Sequence, residues 1–242
     1  MRMNALLAFD TATEQMSIAL SVRGQVSTHE AAGGALASTG LSPAILALLA
    51  RAGVALRDLD AVAFGRGPGA FTGLRTACSV AQGLAFGAGK PVLPIDSLLA
   101  VAEDARGGAS DMIVWVTMDA RMNEIYAAQY RFGVRRWQVL AAPMLISPEA
   151  LNERWRADAP QHVAGNAFAA FGVQLQTADA VLLPNALPRA VAMLPLAQAL
   201  WDRGGAVDAA LALPLYLRDK VAQTTAEREA VRALKALAGG VR

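Results

Sequence analysis

Apolar positions near the start of the chain recur with two periods. Ala5 to Asp10 is an apolar run of strand length. Met16 to Val22 alternates Met16, Ile18, Leu20 and Val22 with Ser17, Ala19 and Ser21, the period of two of a half-buried strand. Gly24-Gln25 turns the chain into Val26 to Glu30, so the three runs predict an antiparallel meander. The period then lengthens. Leu41, Ile45, Leu48 and Leu49 share one helical face, with Ala44, Ala47 and Ala50 between them. Ser42-Pro43 reads as an N-cap followed by proline at the first helical position, the alternative being a helix that starts near Leu36 and bends at Pro43. Gly53 ends it either way. Leu59 to Phe64 reads as a strand, Gly65 to Gly73 as a glycine-rich loop, and Leu74 to Phe86 as a helix stopped by Gly87 and Gly89. Val92 to Ile95 is a strand, and Ser97 to Glu103 a helix capped by Asp96 or Ser97.

Arg106-Gly107-Gly108-Ala109-Ser110 breaks this pattern and marks a lobe boundary. Beyond it Met112 to Met118, Glu124 to Phe132 and Trp137 to Ala141 read as three more strands, a second meander without a visible sequence repeat. Ser147-Pro148-Glu149 starts a helix, His162 to Gly165 is a short strand, and Leu187 to Arg203 is mostly helical. Pro214 to Arg218 is an isolated amphipathic strand or extended piece. Thr224 and Glu227 have capping-box spacing before a tail helix that ends at Gly239-Gly240. The organisation is therefore α/β, with a first lobe over 1–106, a smaller second lobe over 107–220 and a helical tail over 221–242.

Composition sharpens this picture. Of the 242 residues 55% are hydrophobic and 17% charged, too apolar for a disordered chain. Alanine supplies much of the excess, which suits close-packed helices rather than a bilayer. The longest nearly uncharged helical stretch, Ala190 to Trp201, is short of the roughly 20 apolar residues of a membrane span. No signal-peptide organisation precedes the first strand, and the expected location is the cytoplasm. The formal charge is +2, and no Lys/Arg cluster reaches the density of a protein that grips RNA alone, Arg135-Arg136 beside Trp137 being the densest basic spot. Cys78 alone permits neither an internal disulfide nor a thiolate cluster and reads as a small buried hydrophobe. His29 and His162 lack local metal-ligand partners, and no Gly-x-Ser-x-Gly elbow supports a hydrolytic triad.

Three turns carry potential chemistry. Asp10-Thr11-Ala12-Thr13 lies between two strands, where amides and hydroxyls can surround phosphate and an aspartate can hold Mg²⁺ through water. These are also ordinary hairpin residues. Gly65 to Arg75, Gly-Arg-Gly-Pro-Gly-Ala-Phe-Thr-Gly-Leu-Arg, joins a strand to a helix. Its glycines allow close backbone approach, either to an anion or to a neighbouring segment, and no Gly-Lys-Ser/Thr makes it a Walker loop. Asp119 to Tyr126 is a second-lobe turn in which Asp119, Arg121 and Glu124 position a ligand or form a salt-bridged hairpin.

The Gly65 to Arg75 segment resembles the signature of the bacterial TsaB (YeaZ) family. The likeness continues through Phe9 to Thr13, Gln82-Gly83-Leu84-Ala85, Asp119 to Met122 and Tyr216-Leu217-Arg218. It implies a two-lobed actin/Hsp70/sugar-kinase-like fold with a reduced second lobe. It also implies a role in making threonylcarbamoyladenosine beside the anticodon of tRNAs that read codons starting with A. On that reading the chain is a non-catalytic subunit that binds and activates the TsaD transferase, with the TsaE ATPase as third component and tRNA reached only through the complex. TsaD-type proteins carry paired metal-binding histidines on the helix after the meander, and Gly34 to Leu49 here holds no histidine. Asp10, Thr11, Thr13, Gly67 and Gly69 would then be a vestigial phosphate loop, with no cofactor required and at most weak ATP or ADP binding. Leu41, Ile45, Leu48 and Leu49 on the first helix, with Leu74, Arg75, Cys78 and Gln82 on the second, are the expected partner face, the alternative being that they face the chain's own sheet. Self-association of the isolated chain through those helices is a further expectation. The rival readings are an ATP-using kinase or ATPase of the same superfamily and, last, a peptidase.

Overall fold

A computed structural model describes residues 3–218. Among these, β1 (Ala5–Asp10), β2 (Gln15–Val22) and β3 (Gln25–Ala32) form the expected meander. After α1 (Ala37–Ala52), β4 (Ala61–Gly67) adds parallel to β1. After α2 (Phe71–Ala88), β5 (Val92–Asp96) adds parallel to β4, so the sheet order is β3-β2-β1-β4-β5. Then α3 (Ser97–Arg106) leads to the second half.

The second half repeats the plan element by element. β6 (Met112–Asp119), β7 (Ile125–Gly133) and β8 (Arg136–Ile146) are an antiparallel meander. α4 (Pro148–Ala157), β9 (His162–Ala164), α5 (Ala167–Phe171), β10 (Val181–Leu183) and α6 (Ala190–Asp202) follow, with β9 and β10 parallel additions beside β6. The order β8-β7-β6-β9-β10 is that of the first sheet. This is the two-lobed α/β architecture of the actin-like class, with a second lobe whose last two strands are three residues each.

The two sheets exchange their last helices. α1 and α2 cover one face of the first sheet, meeting Leu7, Phe9, Val62 and Phe64. The opposite face presents Leu6, Ala8, Ala19, Ala61 and Ala63, and there the cover is α6, through Ala190, Met193, Leu196 and Ala197. Small residues on both partners let the helix sit close to the strands, which is where much of the alanine excess goes. α3 turns Leu98, Val101 and Ala102 onto Val114, Val116 and Tyr130 of the second sheet. The other face of that sheet is covered by α4 and α5, through Leu151, Trp155, Ala167 and Phe171.

Several boundaries differ from the sequence reading. Of the two starts open to α1, the structure has the earlier: it begins at Ala37 and carries Pro43 inside it, so Ser42 is not its cap. α2 begins at Phe71 and runs through Gly87; it stops at Gly89, which takes the left-handed conformation (φ 64°) that ends helices. α3 has Asp96 at its N-cap position without a side-chain capping bond, because Asp96 is drawn to Arg66 and Ser97 to Asp10. β8 runs on to Ile146, past the Ala141 limit read from the pattern. Ser147 caps α4 as expected, its Oγ accepting the Ala150 N–H at 3.3 Å. Of the two forms open to Pro214 to Arg218, the structure has the extended one, the end of a strap that starts at Val207. The Thr224–Glu227 capping box and the tail helix lie outside the described residues. No helix among the described residues is long and apolar enough to cross a membrane.

Candidate functional site

The β1–β2 turn and the β4–α2 loop interlock. Asp10 is almost fully buried, with one carboxylate oxygen accepting the Ala12 N–H at 2.6 Å and the other accepting the Ser97 hydroxyl at 2.6 Å. Burial dominates these two bonds and raises its pKa from 3.8 to about 6. Thr11 is buried too and donates to the Gly73 carbonyl at 2.7 Å. The glycines are dictated by this approach. A Cβ on Gly65 would stand 1.7 Å from Asp10 Oδ2, on Gly69 2.5 Å from the Ala12 carbonyl, and on Gly73 1.9 Å from the Thr11 carbonyl. Of the two roles open to the loop, packing against a neighbouring segment is therefore met in full, and the neighbour is the Asp10–Thr13 turn.

In front of this pair opens a cleft of about 290 Å³ between the lobes. Thr13, Glu14, Gly69 and Phe71 line it from the first lobe; Asp119, Arg121, Tyr126 and Asn166 line it from the second. Asp10, Thr11 and Gly67 do not reach it: the carboxylate lies behind the turn, and Gly67 (φ 109°) sits against the Leu215 carbonyl. Thr13 shares its hydroxyl with the Gln15 backbone at 3.2 Å. The nominated phosphate-loop residues thus divide, with Thr13 and Gly69 on the cleft and three behind it.

The Asp119–Glu124 turn is a salt-bridged hairpin that also bridges the lobes. Arg121, Met122 and Asn123 all take positive φ (62°, 56° and 60°), a conformation disfavoured by roughly 1–2 kcal/mol for each such residue. It is held by Ala120 N–H to the Glu124 carbonyl and Arg121 N–H to Asp119 Oδ1, at 2.9 and 2.7 Å. Arg121 reaches Glu14 of the first lobe at 2.9 Å and Asp119 at 3.4 Å. Nothing in the sequence marks Glu14, because a charge beside a turn reads as a solvated residue. The turn between β9 and α5, Gly165-Asn166, is also structurally occupied. Gly165 abuts the Thr117 carbonyl, and Asn166 Oδ1 accepts the Asp119 N–H at 3.0 Å.

A strap closes one side of the cleft. Val207 pairs with Val92, Leu215 N–H donates to the Arg66 carbonyl at 2.7 Å, and Arg218 reaches Glu124 at 2.5 Å. Tyr216 stacks on Phe71 at 5.3 Å and takes the Arg75 Nε–H at 3.2 Å, with the Arg75 guanidinium 3.9 Å over the Phe71 ring.

The expected partner face is corrected by burial. Leu41, Ile45, Leu48, Leu49 and Cys78 lie in the first lobe's own core, because α1 and α2 turn these side chains onto its sheet, and Leu74 is buried against Gly67 at the edge of the cleft. Cys78 and Gln82 both donate to the Ala212 carbonyl of the strap, at 3.3 and 3.0 Å. Of the eight residues only Arg75 is exposed. The outward sides of the same helices carry other residues: Leu46, Ala47 and Ala50 on α1, and Ser79, Gly83, Phe86 and Gly87 on α2. Leu46 is 51% and Phe86 82% exposed. The described residues include no cluster of three or more potential metal ligands.

Residues 20–228 match the family model described as TsaD, tRNA N6-adenosine threonylcarbamoyltransferase. The tRNA threonylcarbamoyladenosine biosynthesis protein TsaB of Haemophilus influenzae is 38% identical, over 89% of this chain and 94% of its own length. The Escherichia coli protein of that name is 34% identical over 90% and 96%. YeaZ from Pseudomonas aeruginosa, a solved structure, superposes with TM-score 0.80 at 37% identity, covering 88% of this chain and all of that one. A tRNA N6-adenosine threonylcarbamoyltransferase from Hyperthermus butylicus is 31% identical, but only half its length is matched. A likeness that fills the TsaB proteins end to end, and the transferase only by half, settles the assignment: the chain belongs to the TsaB (YeaZ) family of tRNA threonylcarbamoyladenosine biosynthesis proteins.

Proposed function

We propose that this chain is a non-catalytic subunit that binds a TsaD-type transferase and activates threonylcarbamoyl transfer to the adenosine beside the anticodon. A TsaE-type ATPase completes the set, and tRNA is acted on in the complex. The observation that carries this reading is the outward side of α1 and α2. Leu46 and Phe86 stand out to solvent beside Ser79, Gly83 and Gly87, and a Cβ added at either glycine would meet nothing within 4 Å. Large apolar residues beside small ones suit a partner helix that approaches closely. A transferase of related fold has matching helices to offer. The interlocked turn and loop support the absence of a catalytic duty, since Asp10 and Thr11 are occupied within the chain. The reading requires no cofactor, and weak binding of ATP or ADP is compatible with it.

The test is to purify the chain alone and with its transferase partner, then follow complex formation, transfer to tRNA and ATP hydrolysis. A stable heterodimer with transfer above that of the transferase alone is expected. Strong ATP turnover or peptide cleavage by the isolated chain would sink the proposal. Gly83→Arg should abolish the heterodimer by filling the close approach. Its own fold should be at least as stable, because arginine favours an exposed helix over glycine by roughly 0.8 kcal/mol.

A further inference from the structure

A second groove, of about 1020 Å³, shares no lining residue with the cleft. Its walls are α3, α6, the end of β5 and the β7–β8 hairpin. Arg66, Arg106, Arg135, Arg136 and Arg203 line it, against the two carboxylates of Asp96 and Glu103. That surplus of three exceeds the formal +2 of the whole chain, so the rest of the chain carries a net negative charge. Both carboxylates are already paired, Asp96 with Arg66 at 2.5 Å and Glu103 with Arg106 at 2.5 Å. Arg135, Arg136 and Arg203 make no ion pair among the described residues, and all three are exposed. They are the groove's open charges.

The wall between them is aromatic and fixed. Trp137 donates its indole N–H to Glu103 at 2.7 Å and meets Phe132 edge-on at 5.1 Å. Arg106 caps the Phe132 ring at 4.3 Å. Leu196, Leu200 and Val139 continue the apolar surface. Cationic side chains around a rigid aromatic and apolar wall match a strand that alternates phosphates with planar bases. An acidic peptide would satisfy the charges but has no planar faces for the wall. We propose that this groove holds a segment of RNA backbone, that of the tRNA on which the complex works, with Arg135, Arg136 and Arg203 on its phosphates. The identity of the RNA rests on the function proposed above; the groove itself does not.

The experiment titrates the isolated full chain, and then its complex with the transferase, with an unmodified tRNA transcript at 50 and 200 mM salt. The comparison is with the triple variant Arg135→Gln, Arg136→Gln, Arg203→Gln. The wild type should bind more weakly at the higher salt. The variant should keep its melting temperature, bind at least tenfold more weakly at 50 mM, and show a log–log salt slope flatter by about 2. Equal binding by the two proteins, or none by the isolated wild type, would overturn the inference. So would a poly-glutamate peptide that competes as well as a single-stranded oligouridylate. Binding of tRNA without any heterodimer would instead sink the subunit reading and leave the groove standing.

Discussion

Asp10 is a carboxylate enclosed by its own fold, and its folded pKa of about 6 lies above the unfolded value of 3.8. Its contribution to stability is therefore full below about pH 4 and declines as the pH rises through 6, a loss of about 3 kcal/mol at most. Asp10→Asn keeps an oxygen for the Ala12 N–H and removes the charge. Urea midpoints for the variant should be flatter than wild type between pH 4 and 7, with the variant more stable at neutrality; an unchanged profile would refute this. Tyr130 makes the same point without a charge. Its side chain is fully buried and its hydroxyl has no partner among the described residues. Tyr130→Phe retains the edge-on contact with Trp137 and should raise stability by roughly 1 kcal/mol. In a thermal melt that is about 2–4 °C upward. Neither property was legible in the sequence: an aspartate in a turn and a tyrosine in a strand look ordinary until the fold encloses them.

At the scale of elements, α1 and α2 show how far periodicity reaches. The spacing of Leu41, Ile45, Leu48 and Leu49 identifies a helix and its apolar face, both of which the structure contains. Periodicity says only that a face is buried, not what buries it. A helix lying on its own sheet and a helix awaiting a partner leave the same stripe. Ile45→Asp should therefore prevent folding rather than dissociate a complex, because an unpaired charge would enter a fully buried site. Circular dichroism and expression yield of the isolated chain check this; a folded Ile45→Asp monomer would contradict it. The glycine motif reveals more, since its spacing shows the need for close approach and leaves only the neighbour open. Asp10, Thr11 and Ala12 are that neighbour. Periodicity misses a helix end where a glycine stays right-handed, as Gly87 does, and leaves two starts open where proline is tolerated inside a helix, as Pro43 is.

At the scale of the molecule, both meanders and the break at Gly107-Gly108 were visible as strand patterns and turn residues. The shared sheet order was not, because β9 and β10 are too short to carry a period. Nor was the exchange of α3 and α6, whose apolar stripes give no sign of which sheet they meet. Helix exchange has a consequence for how the chain can be divided. Cutting in the exposed loop at Gly107-Gly108 gives one fragment whose sheet lacks α6 and another whose sheet lacks α3. Each exposes an apolar sheet face and an unpaired apolar helix. Produced separately, residues 1–107 and 108–242 should aggregate or stay partly unfolded. Co-expressed, they should copurify as a 1:1 complementation pair with the spectrum of the intact chain. A fragment that unfolds cooperatively as a monomer would contradict this. The two halves form a reciprocal graft, and the peptide bond that joins them is the least necessary link between them.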